Sequence, residues 1–393
     1  MSDAITPAEA DAVLLAHLLP TRSVRCPLEK CAGRYLLEPV VTDRPQPPFN
    51  RIMMDGYAIR SSDGRGPYRV LGLLRAGEAP LPLPFETGTA WEVCTGGVVP
   101  PGADVIVPYE HTLKKGADLF LTDEAETGVG TCIHAEGSDQ QQGEIVLSPG
   151  RRLGSREITV AASMGYATLP VRQHPRVGIL STGDELVDPA DTPKTHQIRR
   201  SNDLAIDTAL ALNTLHAQTR TSLPDDPDIM QNVLAELMDS HDLLICTGGV
   251  SKGAYDHLPD VLTTLGSQSL FRRVRQKPGQ PMGFWTRNDC RIFTLPGNPL
   301  SVLCGLHRYV LPFLHACLGA SSAFAAPPVQ TLQDSPSDAP LTRYLPVKFG
   351  PDALVTPCPF RNSGDLIRPL ESDGFLAIPP HAEGCSFPFY PWY

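Results

Sequence analysis

The feature that most constrains this chain is a threefold recurrence between residues 176 and 301, an apolar run that ends in a glycine-containing turn. The runs are Arg176-Val-Gly-Ile-Leu-Ser181, Asp242–Cys246 and Arg291–Leu295, and the turns are Thr182-Gly183-Asp184-Glu185, Thr247-Gly248-Gly249 and Pro296-Gly297-Asn298-Pro299. Short apolar runs without alternation are buried on both faces, as strands of a parallel sheet are. Between them lie stretches with helical spacing: Leu204–Leu212 begun by Ser201-Asn202, Ile229–Met238, and a run from Pro299 to about Leu314. Leu215–Thr221 reads as a further strand. Strands that alternate with helices fold into a mostly parallel sheet covered on both faces, which binds ligands at the carboxyl ends of its strands. All three glycine turns fall at such ends. With Asp, Glu and Lys beside them, residues 176–310 are expected to hold an enzyme site for a phosphate-bearing ligand and a divalent metal.

At 393 residues the chain is too long for one ordinary core. Thr6-Pro7-Ala8-Glu9 is a capping box with proline at the first helical position, and it predicts a helix of about four turns ending near Pro20. From about residue 40 to 150 the pattern changes to short β-prone runs between Gly and Pro: Tyr68–Leu74, Ala90–Cys94, Asp104–Pro108 and Leu119–Thr122. Arg156–Ser163 reads as helix. Ala325–Pro340 reads as a linker, and Arg343–Phe349 and Gly374–Pro379 as strands of a small β-barrel.

With 33 Lys and Arg against 43 Asp and Glu, the net charge of −10 argues against general nucleic-acid binding, which needs a basic face. None of the ten cysteines forms Cys-x-x-Cys or a zinc-finger spacing, so scattered core thiols in a reducing compartment are expected. No stretch reads as long and apolar enough to cross a membrane, and Asp3, Glu9 and Asp11 stand where a signal peptide would be basic and then apolar. The chain reads as cytoplasmic.

Each chemical motif has a plain structural alternative. In Leu295-Pro-Gly-Asn-Pro-Leu-Ser301, Asn298 suits a helix N-cap and Pro299 the first turn; such a helix start attracts anions, or it is a capped turn and no more. The glycines of Thr247-Gly-Gly-Val-Ser251 allow an anion to approach the backbone, or they merely make the turn. Asp184 and Glu185 at a strand end suit Mg²⁺, or Asp184 caps a helix. Arg272, Arg273, Arg275 and Lys277 precede Pro278-Gly279-Gln280 and form a solvated face or an anion site. Asp225-Asp226-Pro227 reads as a cap.

The ordered set carries more than any member. It runs Met54-Asp55-Gly56-Tyr57-Ala58, Cys94-Thr95-Gly96-Gly97, Pro100-Pro-Gly-Ala-Asp104, Gly137-Ser138-Asp139, Ser181–Leu186, Ser201-Asn202-Asp203, Asp225-Asp226, Thr247–Ser251 with Asp256, Lys277-Pro278-Gly279 and Pro296–Ser301. In this order it resembles the MoeA family of molybdopterin molybdenumtransferases, which includes the E domain of gephyrin and its plant counterpart. The resemblance runs from about Met1 to Pro379 and is densest over 50–60 and 176–305.

The resemblance implies a transferase of molybdenum cofactor biosynthesis. It would insert molybdenum from molybdate, its substrate, into adenylylated molybdopterin, with Mg²⁺-dependent release of AMP. It implies a multidomain α/β-plus-β fold: an N-terminal helical region (1–45 and 140–172), a β-rich lobe (46–139), a three-layer α/β molybdopterin-binding domain (173–322) and a C-terminal β-barrel (323–393). It also implies a homodimer whose site is completed by the partner's lobe, with transient contacts to the adenylyltransferase and to molybdoenzyme chaperones. Matched by motif, Asp55, Asp139, Glu185, Asp225, Asp256 and Lys277 are the catalytic set, with Glu185 and Asp256 on the metal. Thr95, Ser251, Arg273, Pro296, Pro299, Ser301, Arg343 and Ser363 are the substrate-binding set. Three departures from the family's pattern stand out: Gln280 where a second Lys is common, Asn50-Arg51-Ile52-Met53 where small residues are common, and Lys252 where an apolar residue is usual. Two rivals are a scaffold protein of the gephyrin E-domain type and a molybdopterin adenylyltransferase. The first would not need the acidic set, and the second would lack the lobe and the tail. Molybdate and tungstate are not discriminated.

Overall fold

The three apolar runs are the central strands of one sheet. The computed structural model describes residues 4–20, 22–250, 256–320, 322–331, 340–358, 360–365 and 367–392. In chain order the α/β domain contains β1 (Val177–Thr182), α1 (Asn202–Leu212), β2 (Ala217–Leu223), α2 (Pro227–Ser240), β3 (Leu243–Thr247), α3 (Leu258–Thr264), β4 (Gln268–Phe271), β5 (Gly283–Arg287), β6 (Cys290–Leu295), α4 (Pro299–Gly305) and α5 (Leu311–Cys317). The strand order is β2-β1-β3-β6-β5-β4. The first four run parallel, and β5 and β4 join antiparallel at one edge.

Alternation along the buried strands sorts their side chains into two cores. Val177, Ile179, Leu243, Ile245, Phe293 and Leu295 pack with Ile206 and Leu210 of α1 and with Phe313 and Leu314 of α5. Leu180, Leu244, Cys246 and Ile292 pack on the opposite face with Met230 and Leu234 of α2 and Leu262 of α3. Helix α2 begins as its sequence predicts, with the Asp226 carboxylate accepting from the amides of Asp228 and Ile229 at 2.9 and 3.0 Å. Asp184 caps no helix; the chain after it continues into a short strand, Leu186–Val187.

Between α4 and α5, Leu306–Val310 winds as a π-helix, so Pro299–Cys317 is one continuous helix of 19 residues. This corrects the sequence reading that no stretch is long and apolar enough to cross a membrane: this one is. The reason for its apolarity is that 83% of it is buried inside the fold, where it forms the floor of the first core. The ten cysteines are free thiols, six of them buried.

The N-terminal helix, Pro7–Ala16, carries the expected capping box: the Thr6 amide donates to Glu9 Oε2 at 2.7 Å and the Glu9 amide to Thr6 Oγ1 at 3.2 Å. It stops short of Pro20. The His17 amide turns back to the Leu14 carbonyl, and Leu18 and Leu19 leave the helix to pack on the first core.

The chain divides into two compact units. One holds Met1–Leu37, Pro149–Ser155 and Thr168–Tyr393, and the other Glu38–Ser148 and Arg156–Ala167. The first unit includes the tail. There the strands run in the order Gln276–Lys277, Thr342–Phe349, Gly374–Ile378, Ser386–Pro391 and Pro328–Gln330, with Val355–Pro357 beside Thr342–Phe349. Just beyond Pro328–Gln330, Thr331 bridges Val355, so the path returns on itself around Val347, Leu376, Ile378 and Phe387. The second unit is built on a six-stranded sheet in the order Val105–Pro108, Gly56–Ile59, Thr89–Val93, Tyr68–Leu74, Asp118–Leu121 and Thr112–Lys115. All four strands expected from its sequence are present, displaced by one residue at most.

Candidate active site

Parallel registry brings the three glycine turns together. Ser181 of β1 pairs with Thr247 of β3, and Thr247 with Leu295 of β6, so all three strands end at one level. The hydroxyls of Ser181 and Thr247 are 3.2 Å apart in the buried layer just below. Above it opens a cleft of about 900 Å³.

Gly248 adopts φ +89°, and a Cβ there would stand 2.4 Å from the Thr182 carbonyl oxygen. Only glycine lets the β3 turn lie this close to the β1 turn. The Pro296–Pro299 turn is fixed by side chains from elsewhere. Asn202 Nδ2 donates to the Gly297 carbonyl at 2.8 Å, and Asn298 Nδ2 to Ser363 Oγ at 2.8 Å. Asn298 stands at the N-cap position, as its sequence predicts, but its side chain does not cap the helix. The backbone of Ser363 takes part of that work, its carbonyl accepting from the Leu300 amide at 3.2 Å.

Part of the cleft's lining is acidic. Glu185, Asp225 and Asp256 all line it. Asp225 is held above the ordinary carboxyl range, first by burial and then by the charges of Asp184 and Glu185. Another part of the lining is basic. Arg199 and Arg200 line the cleft with Asn202, and the sequence reading missed all three as site residues. Arg200 is bound at 2.6 Å to Asp188 and at 3.2 Å to the buried Asp203. That pairing, after a backbone bond from Ala190, holds Asp188 below the ordinary carboxyl range. Arg199 is anchored through Nε, which donates to the Asp191 carbonyl at 3.1 Å. The signal that could have found these residues is their place directly before the helix start Ser201-Asn202.

Pro296 and Pro299 line the cleft, and Ser363 touches it through Asn298. Ser301 does not line it, being 3% exposed on the buried side of α4. Lys277 and Arg343 are paired neighbours on adjacent strands, outside the lining of this cleft. Arg273 pairs with Ala4 on another short strand, and Arg275 donates from Nε to the Ala4 carbonyl at 3.0 Å. Ser251 and Lys252 lie outside the described residues.

The remaining candidates belong to the other unit. Asp55 accepts from the Thr95 amide at 2.6 Å and from its hydroxyl at 2.9 Å, which holds the carboxyl below its ordinary value. Asp139 Oδ1 is 2.7 Å from His134 Nε2, and Arg51 lies 2.9 Å from His134 Nδ1. A guanidinium only donates, so Nδ1 accepts and Nε2–H points at Asp139. Arg51 and His134 are direct cross-strand partners.

Fold and cleft define the class: a multidomain α/β-plus-β protein with a ligand site at the carboxyl ends of parallel strands. Residues 5–165 match the MoeA N-terminal region (domains I and II), 178–316 a probable molybdopterin binding domain, and 328–391 the MoeA C-terminal region (domain IV). The chain is similar to the molybdopterin molybdenumtransferase of Synechocystis sp., with 34% identity over 401 residues, 99% of this chain and 100% of that one. The molybdopterin molybdenumtransferase of Staphylococcus aureus is 30% identical over 91% of this chain and 87% of its own. The crystal structure of the molybdopterin biosynthesis moeA protein of Pyrococcus horikoshii OT3 superposes with a TM-score of 0.81 at 25% identity, covering 98% of this chain and 100% of that one. The chain belongs to the MoeA family of molybdopterin molybdenumtransferases, transferases of molybdenum cofactor biosynthesis.

Proposed function

We propose that this chain inserts molybdenum from molybdate into adenylylated molybdopterin and releases AMP with the help of Mg²⁺. The observation that carries the reading is the convergence of Glu185, Asp225 and Asp256 on one cleft at the ends of three strands. Acidic groups beside glycine turns suit a substrate that is an anion bound with a cation.

The donor set fits Mg²⁺ of one kind only. Among the described residues no group of three or more His, Cys, Asp or Glu side chains is gathered as a metal cage. Mg²⁺ is commonly held by one or two carboxylates, with waters and substrate phosphate as its other ligands. Glu185 and Asp256 are the proposed pair; burial and then the charges of Asp184 and Glu185 raise Asp225, and a cation would offset those charges. When bound, the cation supplies charge neutralisation at the phosphoanhydride. Asp225 and Glu185 orient the attacking oxygen. The Pro296–Pro299 turn shapes the pterin's seat, and Lys277, Arg343, Ser363, Ser251 and Arg273 are proposed to hold molybdate or phosphate oxygens; the inward-turned Ser301 is left out of that set.

Asp55, Thr95 and Asp139 complete the set in our reading, supplied by the lobe of a partner chain in a homodimer. The four-region division implied by the resemblance and a cytoplasmic location belong to the same proposal, as do transient contacts with the adenylyltransferase and molybdoenzyme chaperones.

The test is direct. The purified chain with adenylylated molybdopterin, molybdate and Mg²⁺ should release AMP, and Asp256→Ala should stay folded without turnover. No AMP with any divalent cation overturns the reading.

A further inference from the structure

Behind the Lys277–Arg343 pair lies a buried polar network with no counterpart in the sequence motifs. Gln276 is fully buried. Its Oε1 lies 2.5 Å from the Tyr309 hydroxyl and 3.0 Å from the Tyr344 hydroxyl, and the two hydroxyls are 2.8 Å apart. Its Nε2 donates to the Gly279 carbonyl at 3.0 Å, closing the turn that contains Lys277. Three oxygens in mutual contact share only two hydroxyl protons, so both tyrosines are committed to this one arrangement. Both tyrosines are fully buried.

Strand alternation links the network to the surface. Gln276 faces inward and Lys277 outward; Tyr344 faces inward and Arg343, beside it, is half-exposed. Gln276 pairs with Thr342 and Lys277 with Arg343, so the two cations emerge side by side. Arg343 Nε is buried and without a protein partner among the described residues. Tyr309 stands in the π-helical turn Leu306–Val310 of the helix that starts at the cleft. π-turns are rare and recur at functional sites, and this one places Tyr309 on Gln276.

We propose that Gln276, Tyr309 and Tyr344 are positioning residues that set the spacing of Lys277 and Arg343 as a two-cation cradle for the oxyanion substrate. The inference rests on the proposed function, in which Lys277 and Arg343 bind oxyanion. None of the three touches substrate. They act by holding the Gln276–Gly279 turn and the Thr342–Phe349 strand in one register against the helix. Fixing two donors at one spacing matters because a tetrahedral oxyanion needs converging charges, and a buried, satisfied network is rigid where a surface pair is not.

The test uses the full-length protein and AMP release measured across molybdate concentrations. A triple variant, Gln276→Met with Tyr309→Phe and Tyr344→Phe, replaces all three polar side-chain groups together by apolar groups of similar shape, so that of the network's partners only the Gly279 carbonyl loses its donor. We expect its melting temperature to stay near wild type while KM for molybdate rises about tenfold and kcat changes little. Tyr344→Phe alone, which removes one oxygen of three, should move KM the same way by about threefold and keeps the test open if the triple variant misfolds. An unchanged molybdate KM in a folded variant overturns the inference. Lys277→Ala and Arg343→Ala separate it from the reading beneath. If they raise KM and the network variants do not, the positioning role alone falls. If they leave KM unchanged, the oxyanion assignment of that pair falls and this inference with it.

Discussion

Asp184 and Asp225 hold each other through their backbones. The Asp225 amide donates to Asp184 Oδ1 at 3.1 Å, and the Asp184 amide donates to Asp225 Oδ2 at 3.4 Å. The two turns that follow β1 and β2 are thereby joined, and the charge of Asp184 is brought beside that of Asp225, which lines the cleft.

The first prediction follows from that crowding. Burial, then Asp184 and Glu185, raise the Asp225 carboxyl. A group whose folded value is raised contributes stability that is complete below its unfolded value and is lost as pH rises through the folded value. Ionised Asp225 therefore works against folding at neutral pH. Asp225→Asn keeps an oxygen for the Asp184 amide and removes the charge. Its melting temperature at pH 7 should exceed wild type by about 2 °C, and the gap should close as pH falls through the raised value. AMP release should drop. A variant less stable than wild type at pH 7 contradicts the argument.

A second prediction compares two glycines. Gly248→Ala would set a Cβ 2.4 Å from the Thr182 carbonyl oxygen, backbone against backbone, whereas at Gly116, with φ +65°, a Cβ would meet nothing within 4 Å. Both variants bear the left-handed backbone penalty of roughly 1 kcal/mol. Only Gly248→Ala must also move β1, so it should lose distinctly more stability and at least about tenfold in turnover. Denaturant melts and AMP release on the two proteins measure both effects, and equal behaviour would refute the close approach.

A third concerns the π-turn's charged residue. Arg308 makes two bonds of 2.7 Å to Asp11 of the N-terminal helix, its side chain 6% exposed against 22% for the aspartate. Asp11→Ala strands a buried guanidinium, a loss of about 3–5 kcal/mol. Replacing both, Asp11→Leu with Arg308→Met, should recover most of that loss, although the guanidinium's packing over the Tyr309 and Tyr390 rings goes with it. Chemical denaturation of the single and double variants gives the answer. A double variant as unstable as Asp11→Ala shows that the ring packing, and not the ion pair, is what matters.

What could be read in advance was what is local. The capping box at Thr6 and Glu9, the cap at Asp226 and the runs that became β1, β3 and β6 each carry their signal within a few residues. Of the acidic residues that line the cleft, Glu185 was marked by its strand end, whereas Asp225 alone reads as a cap, and Asp225 and Asp256 were singled out only by the family resemblance. The rest depends on partners far along the chain. Asn298 reads as a cap, yet its amide is drawn to Ser363, 65 residues away. Ser301 reads as a donor to the ligand, yet the helix turns it inward. Arg199 and Arg200 follow a stretch with no periodicity, and their one local mark, the helix start Ser201-Asn202 just after them, does not say which way they face. Gln276, Tyr309 and Tyr344 come from three elements whose meeting no spacing encodes.

The last prediction concerns Asp55, which both the amide and the hydroxyl of Thr95 hold below the ordinary carboxyl value, the amide contributing more. A depressed carboxyl contributes stability above its unfolded value and loses it as pH falls through the folded one. If Asp55 acts as a carboxylate, those two bonds keep it charged into acidic solution. Thr95→Val removes the hydroxyl, keeps the amide and preserves the side chain's volume. The carboxyl should then rise toward its ordinary value, and the acid limb of the AMP-release profile should move to higher pH with the alkaline limb in place. Thr95→Ser restores a hydroxyl and should restore the limb. Activity lost equally at every pH would mean that Thr95 contacts substrate itself and does not act by holding Asp55 ionised.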